Sequence, residues 1–380
     1  MKYGIYIHIP FCRKKCDYCN FYSIAYNPEK NSSPLKKYTE RLIKELSGRL
    51  KNFSGDSADT IFFGGGTPSL CTPGEIRRII SFIRDEIYLE PDAEVSIEIN
   101  PEDLSADKLE GYREAGVSRF VLGMQTLSEK LNGIIGRSGA TCSPEKLELF
   151  FSHKNITHCI DLITGIPAQD LPELEKDLKT LACFMPEHVS AYTLSIEKGT
   201  PLHSRIRHDP EFDDHQRFLF EETIKRLKII GYRHYEISNF ALNGFECRHN
   251  MKYWTFDPYL GFGTSSHSFF NDERFCNNMS VAEYLSSENV TLTRDERSEN
   301  AMLVEYLMTG LRLINGISLN KMQKRLEREV PTNILDRINF LREKGLLSVE
   351  LNNGDRIIRL KGDGLMFADS VIYQIVEQLL

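Results

Sequence analysis

Three cysteines near the start of the chain, Cys12, Cys16 and Cys19, are spaced C-x3-C-x2-C within the run from Ile9 to Tyr22. That spacing gathers three thiolates around one compact point. A cubane [4Fe–4S] cluster has four irons and is usually held by four cysteines. Three protein ligands leave one iron open to a small molecule, as a catalytic zinc keeps one open position. The competing chemistry is a structural zinc knuckle, which needs a fourth ligand, and His8 is the only histidine nearby. The nine cysteines are odd in number and mostly scattered. They read as thiols of a reducing, cytoplasmic compartment rather than as a disulfide framework. Cys71 and Cys142 are read as ordinary thiols outside the motif.

A cluster needs a frame, and the chain supplies one by alternating short apolar runs with amphipathic stretches. Expected strands are Tyr3–Ile9, Thr60–Phe63, Glu94–Ile99, Arg119–Met124, His158–Ile163 and His188–Ser195. Between them fall expected helices at Pro34–Leu50, Pro73–Ile87, Ala106–Ala115, Pro144–His153 and Leu171–Phe184. On the first helix Leu35, Tyr38, Leu42 and Leu46 share one face. Thr72-Pro73 and Ser143-Pro144 are cap and first-turn signals. Strand–helix units in series imply a parallel sheet, because parallel neighbours need crossover helices. A doubly wound sheet and a barrel both fit. Polar and glycine-rich segments at the strand ends favour a barrel, which builds its site at the C-terminal face.

The strand ends are distinctive. The first runs through Tyr6 into the cysteine loop. The second ends in Gly64-Gly65-Gly66-Thr67-Pro68-Ser69, whose glycines allow close backbone approach to a ligand. The third brings Glu98, the fourth Gln125 with Arg137 beyond it, and the fifth Asp161. Singly, each would read as a solvated or structural group; together they read as converging on one charged ligand.

The cysteine motif followed by this glycine segment resembles the signature of the radical S-adenosylmethionine (SAM) superfamily. Over nearly its whole length the chain resembles the oxygen-independent coproporphyrinogen III oxidase group. The matching segments are Tyr6–Cys12, Gly64–Ser69, Glu98–Pro101, Gly123–Gln125, Arg137 and Asp161–Pro167. The resemblance implies a partial (β/α)6 barrel, a cluster on Cys12, Cys16 and Cys19, and SAM chelated by the open iron. It places Tyr6, Tyr18, Gly65, Gly66, Thr67, Glu98, Gln125, Arg137 and Asp161 around the SAM. The oxidases carry a further Cys two residues after the third, where this chain has Phe21, and a longer N-terminal extension. Both departures point to the HemW branch, which resembles the oxidases but acts as a haem chaperone.

His249-Asn250-Met251-Lys252-Tyr253-Trp254 matches that branch's H-N-x-x-Y-W segment, implicated in haem binding. A neutral imidazole is a good axial ligand for haem iron, and Tyr253 and Trp254 offer flat faces to a porphyrin. The bland alternative is a loop that packs the only Trp of the chain into the core. His267 and Cys247 are the other candidate iron ligands. Residues 1–240 are expected to form the barrel, 241–299 a connection carrying this motif, and 300–380 a small C-terminal α+β unit. That unit has three helices and a hairpin marked by Asn353-Gly354-Asp355, resembling a winged helix.

The formal net charge of −7 and the absence of a basic recognition helix argue against nucleic acid. No apolar run approaches 18 residues, so no membrane span is expected. Two functions remain. One is a haem chaperone, with haem and haem-accepting proteins as partners, membrane-associated acceptors among them. The other is a radical decarboxylase of porphyrin biosynthesis.

Overall fold

The computed structural model describes residues 1–30, 33–53, 55–206, 210–295, 298 and 300–380. Its strands, in chain order, begin with β1 (Lys2–Ile9), β2 (Phe11–Cys12), β3 (Ile24–Ala25), β4 (Ser57–Gly65), β5 (Tyr88–Ile99), β6 (Arg119–Gln125), β7 (Thr157–Thr164) and β8 (His188–Thr193). There follow β9 (Arg233–Glu236), β10 (Asn239–Ala241), β11 (Tyr259–Phe262), β12 (His267–Phe270), β13 (Glu273–Asn277) and β14 (Leu292–Arg294). The C-terminal strands are β15 (Ile317–Ser318), β16 (Leu347–Asn352) and β17 (Asp355–Leu360).

One sheet holds twelve strands in the order β14-β13-β12-β11-β1-β4-β5-β6-β7-β8-β10-β9. Its centre, β1-β4-β5-β6-β7-β8, is parallel and sequential. The alternating pattern predicts this parallel order, and the six-unit partial barrel is what the radical SAM resemblance implies. Alternation assigns its faces: Ile5, Ile7 and Ile9 of β1 are fully buried against helices, so Gly4, Tyr6 and His8 turn to the inside. Helix Ser33–Leu50 lays Tyr38, Leu42 and Leu46, all at 0 % exposure, onto that core. Helix Pro73–Glu86 starts at a reciprocal Thr72–Glu75 capping box with Pro73 in its first turn, a device of about 1 kcal/mol.

Two regions differ from expectation. Residues 241–299, expected as a connection, supply β11 to β14, and β11 pairs in parallel with β1. These strands are short, so no alternating run betrays them. Helix Pro210–Ile230 was not anticipated, because only Leu219, Phe220, Thr223 and Leu227 near its end are buried. A separate apolar core gathers Leu303, Leu307, Met322, Ile334, Ile338, Ile358 and Ile375 of the C-terminal unit. There β16 and β17 form the expected hairpin, with positive φ at both Asn353 and Gly354 as a two-residue type I′ turn requires. No helix among the described residues is long and apolar enough to cross a membrane.

Candidate functional site

The C-terminal ends of β1, β4, β5, β6 and β7 converge on the cysteine loop. Cys12, Cys16 and Cys19 are free and partly buried. The loop is held from both sides. Residues Phe11 and Cys12 pair with Ile24 and Ala25, and Asp17 N–H donates to Ile135 O at 3.0 Å while Leu202 N–H donates to Asp17 O at 2.8 Å. The Arg205 guanidinium meets the Asp17 carboxylate at 2.5 Å.

Gly66 runs so close beneath the loop that a Cβ there would lie 3.0 Å from Cys12 Sγ and 2.7 Å from Phe11 O. Thr67 Oγ1 donates to the same sulfur at 3.5 Å. Arg137 sends Nη1 toward Cys16 Sγ at 3.7 Å and Nη2 to Gly123 O at 2.8 Å. Burial pushes the Cys12 thiol up against the pull of the Thr67 hydroxyl. Burial likewise raises Cys19, with Cys16 and Cys12 adding to the rise. These thiols therefore favour ionisation only when a positive centre faces them.

The carboxylates stand behind the glycines. Gly65 N–H donates to Glu98 Oε2 at 3.2 Å. Burial, then the Asp161 charge, pushes the Glu98 carboxyl up to about 8. Burial pushes Asp161 up to about 6, opposed by the Ser190 hydroxyl and the Arg137 and Arg119 guanidiniums. Gln125 is buried at a positive φ of 63°, and its amide lies beside Gly123. Tyr18 sits next to Arg137, and burial raises its phenol while that guanidinium opposes the rise. Tyr6 Oη shares a hydrogen bond with His8 Nδ1 at 3.0 Å.

Asp161 Oδ1 and Arg137 Nε are buried without a hydrogen-bond partner among the described residues. Such atoms occur elsewhere in the chain too; what distinguishes these two is that they lie beside the cysteine loop and the glycine cradle. The set comprises three thiols, a guanidinium, two carboxylates and a backbone cradle. It fits a thiolate-bound cluster with a small zwitterion beside it. His8, the fourth ligand a zinc knuckle would need, has its nitrogens on Tyr6 Oη at 3.0 Å and Tyr22 O at 2.9 Å.

The H-N-x-x-Y-W segment lies elsewhere, on the barrel's opposite, N-terminal end. His249 is at 0 % exposure. Its Nδ1 bonds Thr60 Oγ1 at 2.8 Å and its Nε2 bonds Tyr253 Oη at 2.9 Å, so neither nitrogen is free for iron in this conformation. Burial pushes its imidazole down to about 3, which keeps it neutral. Tyr253 packs on Tyr259 with centroids 4.7 Å apart, and the Arg312 guanidinium stands 5.3 Å from the centre of the Trp254 ring. Cys247 is 3 % exposed, its thiol directed to Glu94 Oε1 at 3.6 Å. His267, by contrast, is exposed at the start of β12.

The sequence reading passed over Ser190, which faces Asp161, and Asp17, which clamps the loop. Alternation along His188–Ser190–Tyr192 could have pointed to the first. Nothing local marks the second.

Residues 6–181 match the radical SAM superfamily. The heme chaperone HemW of Bacillus subtilis is 30% identical to the chain over 98% of this chain and 99% of its own length. HemW of Buchnera aphidicola from Schizaphis graminum is 30% identical over 97% of each, and that of Escherichia coli 35% identical over 70% of this chain and 69% of its own. Among solved structures, coproporphyrinogen III oxidase (HemN) from Escherichia coli, a radical SAM enzyme, superposes with a TM-score of 0.82 at 20% identity, covering 98% of this chain and 89% of that one.

Proposed function

Because the chain belongs to the HemW family of radical SAM proteins, we propose that it is a haem chaperone that binds a [4Fe–4S] cluster through Cys12, Cys16 and Cys19, takes SAM beside it, and passes haem to acceptor proteins. The observation that carries the cofactor part is the convergence of the three thiols with a glycine cradle beside Cys12, the Arg137 guanidinium on Cys16 and the buried Glu98 carboxyl on Gly65 N–H. In this reading Gly65, Gly66 and Thr67 meet the amino group of SAM with their backbone. Glu98 and Asp161 supply negative charge to that ammonium. Arg137 and Gln125 receive the opposite end, and Tyr6 and Tyr18 wall the cavity. Cys12, Cys16 and Cys19 would hold the cluster, whose contribution when bound and reduced would be electron donation to SAM. The protein's own part is to orient the ligand and exclude water.

For haem the exposed candidate is His267, and we assign the iron to it in preference to His249 and Cys247, which are enclosed. Phe21 stands where the oxidases carry a further cysteine, which favours the chaperone over the decarboxylase.

Anaerobic reconstitution tests both parts. Iron and sulfide analysis with electron paramagnetic resonance should report one cluster whose reduced spectrum changes when SAM is added. Haem should be retained and then released to an apo-haemoprotein, and His267→Ala should shift the haem absorption bands. Conversion of coproporphyrinogen to protoporphyrinogen would replace the chaperone reading with the decarboxylase one.

A further inference from the structure

The imidazole of His249 is fixed more firmly than packing alone requires. Its edge is pinned at both nitrogens, by Thr60 Oγ1 at 2.8 Å and Tyr253 Oη at 2.9 Å. Its faces meet aromatic rings. Phe62 stacks on it with centroids 5.3 Å apart and planes 28° off parallel, and Tyr6 at 6.3 Å and 30°. Tyr6 and Phe62 stack on each other at 6.3 Å. Three rings from β1, β4 and the Arg248–Trp254 helix thus form one triangular cluster inside the barrel, each ring touching the other two.

The backbone of the glycine cradle packs against two rings of this cluster. A Cβ at Gly64 would lie 3.0 Å from Phe62 Cε1, 3.0 Å from Tyr6 Cε2 and 3.2 Å from Glu98 Oε1. The next residue, Gly65, holds Glu98 through its N–H at 3.2 Å. Gly64 has no Cβ, so its backbone lies directly against the Phe62 and Tyr6 rings, and any side chain there would displace them. The height at which Gly64, Gly65 and Gly66 meet the cysteine loop is therefore set by Tyr6 and Phe62. Those rings are set in turn by His249.

We propose that His249 is a positioning residue for the SAM site, acting through Phe62 and Tyr6, and that it does not ligate haem iron. The inference rests on the reading that SAM occupies the strand-end cavity. It gives the H-N-x-x-Y-W segment a role there: Tyr253 fixes the imidazole from below, and Thr60 from the side. Partners one layer removed from a bound group commonly change affinity without touching it.

The test is equilibrium binding of SAM to the cluster-loaded protein, read from the reduced-cluster resonance, beside the absorption spectrum of the haem-loaded protein. His249→Ala should weaken SAM binding roughly tenfold with iron content unchanged, and leave the haem bands where they are. Tyr253→Phe retains the ring and withdraws one hydrogen bond, so it should weaken SAM binding by a smaller factor in the same direction. If His249→Ala does not fold, this second variant decides. Unaltered SAM affinity in the variant that folds overturns the inference. Haem bands that shift in His249→Ala overturn it as well and return the imidazole to the iron. A wild-type protein whose loaded cluster shows no response to SAM overturns the functional reading itself, an outcome distinct from the other two.

Discussion

At the floor of the barrel Arg119 meets Glu94 at 3.2 Å, Glu94 accepts from the His249 N–H at 3.2 Å, and Lys252 reaches Asp59 at 2.8 Å. At the mouth, Asp161 Oδ1 and Arg137 Nε are equally buried and have no partner among the described residues. The same inner face of the same sheet thus carries two treatments of polar groups. The charged floor residues find one another across the chain, and the floor is closed by residues 245–254, although Trp254 Nε1 there is also buried without a hydrogen-bond partner among the described residues. Mouth residues leave capacity unfilled, the expense of holding a site ready for something else. A motif rich in His and aromatics belongs by appearance to the second kind; the geometry puts its His249 and Tyr253 in the first.

The comparison breaks most readily at the mouth. Cys16→Ser should remove the cluster outright, leaving no iron–sulfur absorption after reconstitution, because three thiolates are the minimum that holds it. Cys142→Ser, at a buried thiol outside the loop, should leave iron and sulfide content unchanged. Retention of the cluster in the first variant together with its loss in the second would move the site away from the loop.

The floor should respond in stability instead. Arg119 and Glu94 are 3 % and 10 % exposed. Glu94→Gln leaves the guanidinium buried without its counter-charge, at about 3–5 kcal/mol. Phe62 is 9 % exposed between Tyr6 and His249, and Phe62→Ala should cost a similar 3–5 kcal/mol, roughly, for its cavity. Chemical denaturation of the cluster-free protein measures both. Losses below about 1 kcal/mol would mean that the floor relaxes around them.

This division explains what could be read from the chain beforehand. The parallel core follows from Ile5, Ile7, Ile9 and the stripe Leu35, Tyr38, Leu42, Leu46, patterns that are local and periodic. The mouth was legible because its residues end successive strands, so order along the chain repeats order around the barrel. The floor was not. His249 is defined by Thr60, 189 residues away, and no window of sequence contains both. The same holds for β11, whose place beside β1 depends on a long return of the chain.

The mouth should also announce itself through pH. The Glu98 carboxyl stands at about 8 against an ordinary 4.5, so the folded chain holds that proton more tightly than the unfolded chain does. The stability it contributes is full below 4.5 and is lost as pH rises to about 8. Asp161 adds the same sign between 3.8 and about 6. Below 6.5 the buried neutral imidazoles of His8 and His249 oppose this trend, so unfolding midpoints of the cluster-free protein should fall between 6.5 and about 8, by less than the floor variants lose. Glu98→Gln should flatten the slope. A ligand ammonium would favour the ionised carboxylates, so SAM binding near neutral pH should release protons, detectable as buffer-dependent heats in calorimetry. An identical slope in Glu98→Gln would place the titrating group elsewhere.

The smallest effect belongs to a phenylalanine at the mouth and sharpens the contrast with Phe62. Phe21 follows the cysteine motif and is 70 % exposed. It buries little, so its removal forfeits little transfer energy and opens no cavity. Phe21→Ala should leave stability within about 0.5 kcal/mol of the parent, the range of surface substitutions that touch no special feature. The cluster should still assemble, because the three cysteine ligands and the Gly66 cradle are untouched. Two residues of one type, one enclosed within the barrel and one on its surface, should thus differ about sixfold or more in cost, as burial alone dictates. A loss from Phe21→Ala approaching that of Phe62→Ala, measured by the same denaturation, would mean that the ring is covered in solution. The cysteine loop would then be enclosed rather than open at its outer side.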